Sequence, residues 1–410
     1  MVDLPDGRLA RFKSAAIPQD NALRTLSLAT LINTFGNGLF MTIEVIYFTL
    51  YVGLSPTQVA LGLSVAGGVS LLFSVPAGHI ADRYGPRDIG AFVLGLEGLI
   101  LAGFVFVHSF WPFLFLSVFA GSVGSIGQTM RMATIAQFGQ GEERVRVRAY
   151  TRAVTNLGIG LGTIFAGIAL ALNSGTGYIS MLLLDAATFL AAALVWRKLP
   201  YVAPTVSKGE AISFAALRDK KYLSATILNG IMSLHFVLQN VAIPLWVVQE
   251  TKAPRWWVAV IMLVNTVAVI LFQVRASKGS GDVRAGARMF ARAGYFVAAA
   301  CLLYAISSGV SALFACVLLV VAMLVHVAGE LIGSAGSWSI GFGLADENQQ
   351  GQYQGVFSLG WGIGGAIGPT LVTALVIGMG KIGWVILAII FLTTGLLMRR
   401  LVTGSWSARQ

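Results

Sequence analysis

Charge is sparse in this sequence. Only 11% of its 410 residues are charged, against about 25% in a soluble domain, and that deficit excludes a water-soluble globular protein. Cysteine is scarcer still, with Cys301 and Cys316 as the only two. Both fall in apolar runs, so a disulfide framework or a thiolate metal site is not expected, and the two read as inert apolar fillers. No HExxH, no CxxC, no glycine–lysine phosphate loop and no nucleophile elbow occurs. A metal, a nucleotide or another cofactor is therefore not expected, nor is ATP-driven work by this chain alone. A short apolar leader is also missing from the start. Asp3, Asp6, Arg8, Arg11, Lys13, Asp20 and Arg24 make the first 24 residues polar, which reads as a cytoplasmic tail rather than a signal peptide.

Apolar residues fill the space that charge leaves. They make up 56% of the chain, and the mean hydropathy is +0.79. Charge-free runs are long: Thr25–Ile43, Val45–Ala81, Gly98–Met130, Ala153–Leu184, Ala293–Gly329 and Asn348–Gly380 are examples. A helix needs about 20 apolar residues to cross a bilayer, so the longest runs hold more than one crossing. The pattern predicts an all-α polytopic membrane protein with twelve spans. They fall at roughly 26–51, 56–80, 87–107, 111–137, 147–172, 178–196, 222–248, 256–275, 287–307, 311–337, 352–378 and 382–400. Gly, Pro, Ser and Asn punctuate the short turns between them, as in "GLSP" at 53–56 and "NSGTG" at 173–177.

Basic residues orient the spans. With the N-terminus inside, 24 of the 28 Lys and Arg fall in inner segments, among them Arg83, Arg87, Arg144, Arg146, Arg148 and Arg152. Cytoplasmic loops carry such an excess, so both termini are expected in the cytoplasm of an inner-membrane protein. The net charge of +11 needs no nucleic-acid partner to explain it. The expected divisions are a tail at 1–24, a six-helix bundle at 25–196, a cytoplasmic loop at 197–221, a second six-helix bundle at 222–400 and a tail at 401–410. An internal repeat supports two related halves. "NLGIGLG" (156–162) and "SLGWGIG" (358–364) match at an offset of 202, with Tyr150 and Tyr353 and the pairs Glu142-Glu143 and Asp346-Glu347 ahead of them.

The stretch "PAGHIADRYGPRDIG" (76–90) carries a pattern of its own. Gly78, Asp82, Arg83 and Gly85 stand at the spacing Gly-x-x-x-Asp-Arg-x-Gly, Pro86 replaces the next basic residue, and Arg87 supplies the one after. Between spans 2 and 3 of a six-plus-six chain, this resembles the signature of the major facilitator superfamily. Residues 131–162 resemble spans 4 and 5 of its bacterial drug-efflux members, without the proline of the antiporter span-5 signature. The resemblance implies the major facilitator fold, a monomer, no cofactor, and a gating role for Gly78, Asp82, Arg83, Gly85 and Arg87. Asp82 would meet an arginine and the backbone N–H groups at the start of span 11. The glycine strings of spans 5 and 11 would let these helices pack closely against the opposite half.

Ionisable groups inside spans are costly and default to functional candidates. Glu44 shares a helical face with Asn33, Asn37 and Met41. In an apolar span a carboxyl favours its protonated form, so Glu44 is a candidate for proton or cationic-substrate contact. Asp185, Glu330 and His326, the last one turn before Glu330, are further proton candidates. Glu97 is read as neutralising a neighbour or staying protonated. Asn33, Asn37, Met41, Gln128, Arg131, Asn156, Asn229, Ser233, Phe236, Asn240, Asn265, Trp338 and Trp361 are candidates for the cavity wall. The expected function is proton-coupled export of small hydrophobic or amphipathic compounds by alternating access. Import or lipid handling on the same fold is the alternative within transport, and a non-transporting membrane sensor the alternative outside it. The expected partners are a small-molecule substrate, protons and the lipid bilayer.

Overall fold

A computed structural model of the chain describes residues 20–172, 175–201, 204 and 215–404. Residues 1–19 of the tail expected at 1–24, residues 202–203 and 205–214 of the loop expected at 197–221, and residues 405–410 lie outside the described residues. Twelve long helices follow one another: α1 Asn21–Tyr51, α2 Pro56–Tyr84, α3 Pro86–Gly103, α4 Phe110–Ala136, α5 Glu142–Leu172, α6 Gly175–Trp196, α7 Lys220–Glu250, α8 Trp257–Ala276, α9 Val283–Ile306, α10 Ala312–Gly343, α11 Gln350–Val376 and α12 Lys381–Gly404. Among the described residues there is no strand. Among the described residues, eleven helices are long and apolar enough to cross a membrane. Helix α5 opens on Glu142, Glu143, Arg144, Arg146, Arg148 and Arg152 and is free of charge beyond them.

Local chemistry sets the breaks. Ser55 caps α2 in a reciprocal box with Gln58, satisfying two orphan donors at the helix start. Gly85 stands at φ 82° between α2 and α3, a conformation only glycine adopts cheaply. Pro86 then restarts the chain as the first residue of α3. One π-helical turn interrupts α1 at Tyr47–Tyr51, and another interrupts α7 at Leu238–Ala242.

The two halves repeat one packing scheme. In the first, α1 lies against α5 and α6, α2 against α4, and α3 against α6; in the second, α7 lies against α11 and α12, α8 against α10, and α9 against α12. The halves meet where α2 crosses α11 and α5 crosses α8. This corrects the expected role of the glycine strings, because most of them pack within a half. A Cβ on Gly158 or Gly162 would strike α1 at Thr34 and Phe35, and one on Gly360 or Gly364 would strike α7 at Thr226 and Ser233. The internal repeat of 202 residues is thus one helix contact built twice. What faces the other half is a different side of each helix: Arg152 on α5, and Gly351 and Gly355 on α11.

Candidate functional site

One face of the bundle, where α1 begins and α12 ends, is sealed by contacts between the halves. Asp82 at the end of α2 accepts the Gly351 N–H at 2.7 Å and the Gln352 N–H at 2.8 Å. These are unpaired donors of the first turn of α11, where the helix dipole favours an anion. Gly78 and Gly351 touch backbone to backbone, so closely that a Cβ on either would overlap the other's carbonyl oxygen. The second crossing carries a matching contact: Glu142 at the start of α5 accepts the Gly279 N–H at 3.1 Å.

The basic residues of the motif do not join Asp82. Arg87 pairs with its neighbour Asp88 at 3.0 Å and lies over the Tyr201 ring, while Arg83 lies over Tyr84. Their guanidiniums point away from the interface, so the backbone alone holds Asp82.

Behind the seal, at mid-depth, lies a cavity of about 670 Å³ between the halves. The first half contributes Gln128, Arg131, Arg148, Arg152 and Asn156 to its wall, and the second contributes Phe236, Asn240, Trp338 and Trp361. Three guanidiniums line one cavity. Arg131 donates to Asn33 Oδ1 at 2.7 Å, which aims it from α4 across to α1. Arg152 forms an ion pair with Glu330 of α10 and also donates to Ser334 Oγ. Arg148 has no carboxylate partner among the described residues. Its Nε lacks a hydrogen bond, and its guanidinium lies 5.3 Å from the centre of the Trp338 ring.

Aromatic faces complete the wall. Arg152 lies 5.0 Å from the centre of the Phe236 ring, and Phe236 and Trp361 sit 4.6 Å apart at 34°. A guanidinium over an aromatic face gains cation–π attraction without losing its donors to a carboxylate.

Other candidates fall elsewhere. Asn33 stands behind Arg131 as its support. Asn229 accepts from Ser337 at 2.5 Å, Ser233 bonds the carbonyl of Gly230, and Asn265 donates to Glu330 at 2.8 Å. Met41 is exposed, Asn37 and Glu44 are half-buried on α1, and none of the three belongs to the cavity wall. Asp185 is fully buried beside Thr188, at the point where α1 comes closest to α6 at Gly36. His326 is hydrogen-bonded to His235 of α7 at 3.2 Å inside the second half.

Arg148 and Arg152 are the site residues that sequence reasoning missed. The orientation count groups them with the inner basic residues, although the expected span 147–172 already contains both. The helix begins at Glu142, and Arg144, Arg148 and Arg152 recur every four residues along one face of it. That spacing, running from a polar segment into an apolar one, was the available signal.

Comparison with known proteins gives consistent results. Residues 26–369 match the sequence model of the Major Facilitator Superfamily. An uncharacterized MFS-type transporter of Bacillus subtilis (strain 168), YqjV, is 22% identical over 209 residues, which is 50% of this chain and 51% of that protein. The chain spans about half the length of this curated relative. Among solved structures, the human organic anion transporter MFSD10 (TETRAN) superposes with a TM-score of 0.71 at 16% identity, covering 93% of this chain and all of the other. FucP of E. coli in its outward conformation superposes with a TM-score of 0.74 at 14% identity, covering 92% of this chain and 97% of that one. At these identities the structural likeness shows the fold.

Proposed function

Because the chain belongs to the Major Facilitator Superfamily, and so is a multi-pass membrane transporter rather than an enzyme, we propose that it carries small amphipathic organic anions by alternating access, with Arg131, Arg148 and Arg152 as the substrate site. The observation that carries this reading is Arg148. A half-buried cation that shares one cavity with two others and has no carboxylate of its own is relieved when an anion joins it. Glu330 answers Arg152, and Asn33 takes up Arg131, which leaves Arg148 for a ligand. Phe236, Trp338 and Trp361 offer flat apolar faces to the ligand's body. The structural relative MFSD10 is an organic anion transporter; that likeness carries the fold, and the arginines carry the substrate class.

We place the sealed face in the cytoplasm of an inner membrane, on the strength of the Lys/Arg bias. The structure is then outward-facing, held closed below by Asp82 and Glu142. One chain supplies the whole cavity, which supports a working monomer.

Export against protons, with Glu44 or Asp185 as the proton site, draws on the likeness of residues 131–162 to efflux members. Exchange of that kind needs proton and substrate to exclude each other. An anion among arginines instead gains from a proton that neutralises a competing carboxylate. We therefore favour movement of anion and proton together, which an inward proton gradient drives as uptake.

The test is flux in proteoliposomes with labelled benzoate or 1-naphthoate against benzylamine. Arg148→Gln should cut anion flux at least about tenfold, since a hydrogen bond to a charged group contributes roughly 1.5–3 kcal/mol. Flux of the amine in place of the anions, or an unchanged Arg148→Gln variant, overturns the anion reading.

A further inference from the structure

Glu330 stands where the two halves and the cavity meet. Arg152 of α5 donates to its Oε1, and Asn265 of α8 donates to its Oε2 at 2.8 Å. The other polar neighbours are uncharged or share no charge with it: the Tyr304 phenol from α9, and His326 one turn earlier on α10, bonded to His235 of α7. Arg152 is thus the one cation that faces Glu330 among the described residues. It is also one of the three cations that line the cavity. An anion that enters the cavity and the Glu330 carboxylate compete for a single guanidinium.

We propose that Glu330 is a coupling proton site, loaded when a substrate anion takes Arg152 away from it. The inference rests on the anion reading above. Glu330 is 2% exposed, and a buried carboxylate without a cation is far too costly to persist. It takes one proton from the cavity water and becomes a neutral acid. The balance is simple. Arg152⁺ with Glu330⁻ becomes Arg152⁺ with the substrate anion, beside neutral Glu330. One anion and one proton enter, and the buried charge of the site is unchanged. Asn265 still finds an acceptor in the protonated carboxyl. Loss of the proton reverses the exchange, because the restored carboxylate reclaims Arg152 and displaces the anion.

The same pair ties α5 to α10 across the two halves. Loading therefore removes an ion pair that holds the halves together, which connects occupancy of the cavity to the movement of one half against the other.

The test uses the purified full chain in detergent, with benzoate, 1-naphthoate and decanoate as probes. Wild type should take up about one proton per bound anion, read by an indicator dye in weakly buffered solution, and its affinity should fall as pH rises. Glu330→Gln should bind the anions about tenfold more tightly, at all pH values alike and with no proton uptake. His326→Gln should keep the uptake, which separates Glu330 from the histidine pair. Wild-type binding that ignores pH and takes up no proton overturns the coupling while the anion reading stands. No binding of any probe by wild type or by Glu330→Gln overturns both.

Discussion

Arg152→Ala should abolish anion transport and lower the melting temperature more than loss of either other cavity arginine. Its partner Glu330 has a side chain only 2% exposed, and Arg152 itself is 14% exposed. Removing the cation leaves the carboxylate to Asn265 alone. Breaking a buried pair from one side costs up to about 3–5 kcal/mol while the remaining charge stays ionised; protonation of Glu330 limits that loss at low pH, so the destabilisation should grow as pH rises. Arg148, with no carboxylate to strand, should cost far less stability for a comparable loss of transport. Removing both charges, as in Arg152→Met with Glu330→Gln, should recover most of the lost stability and none of the transport. Thermal denaturation in detergent, set beside flux in vesicles, separates the two effects. An Arg152→Ala variant as stable as wild type even at high pH, where Glu330 cannot be rescued by a proton, would show that the pair is solvated rather than buried.

A second large effect is expected at the seal. Gly351→Leu should drive α11 off α2, since even its Cβ would overlap the Gly78 carbonyl and the Asp82 carboxylate. Asp82→Ala should act in the same direction by a different route. It removes two charge-assisted bonds to the start of α11, each contributing about 1.5–3 kcal/mol. Together these move a two-state equilibrium by roughly 100-fold or more, at 1.4 kcal/mol per factor of ten. Spin labels at exposed Tyr84, the last residue of α2, and at exposed Asn348, just before α11, should report the sealed face opening in both variants. Unchanged distances in both would mean that the seal is held elsewhere, with the contact from Glu142 to Gly279 as the first place to look.

Several features of this molecule were legible because they are local. A bilayer crossing is a matter of length and apolarity along the chain, so twelve spans could be counted from runs and breakers. Gly85-Pro86 announces its own turn, since one residue supplies the positive φ and the next starts a helix. Asp82 could be assigned the start of span 11 only through family likeness; nothing in its own neighbourhood names a partner 269 positions away. Helix boundaries near charge were harder. A basic residue at the mouth of a span and one inside it contribute equally to an orientation count, so Arg148 and Arg152 were grouped with the inner basic residues. The glycine strings showed the same limit. Small residues reveal that a helix is approached closely, but not by which neighbour.

By itself, then, the sequence determined the membrane class, the internal repeat and the clustering of its basic residues, because each follows from composition or spacing along the chain. Only the tertiary structure decided which charges meet. It turned α5 so that Arg148 and Arg152 face the second half, set Asn33 behind Arg131, and brought Glu330 from α10 onto an arginine 178 positions earlier. A pairing between distant helices depends on the rotation and crossing of each one, and those are set by packing across the whole bundle rather than by any local stretch.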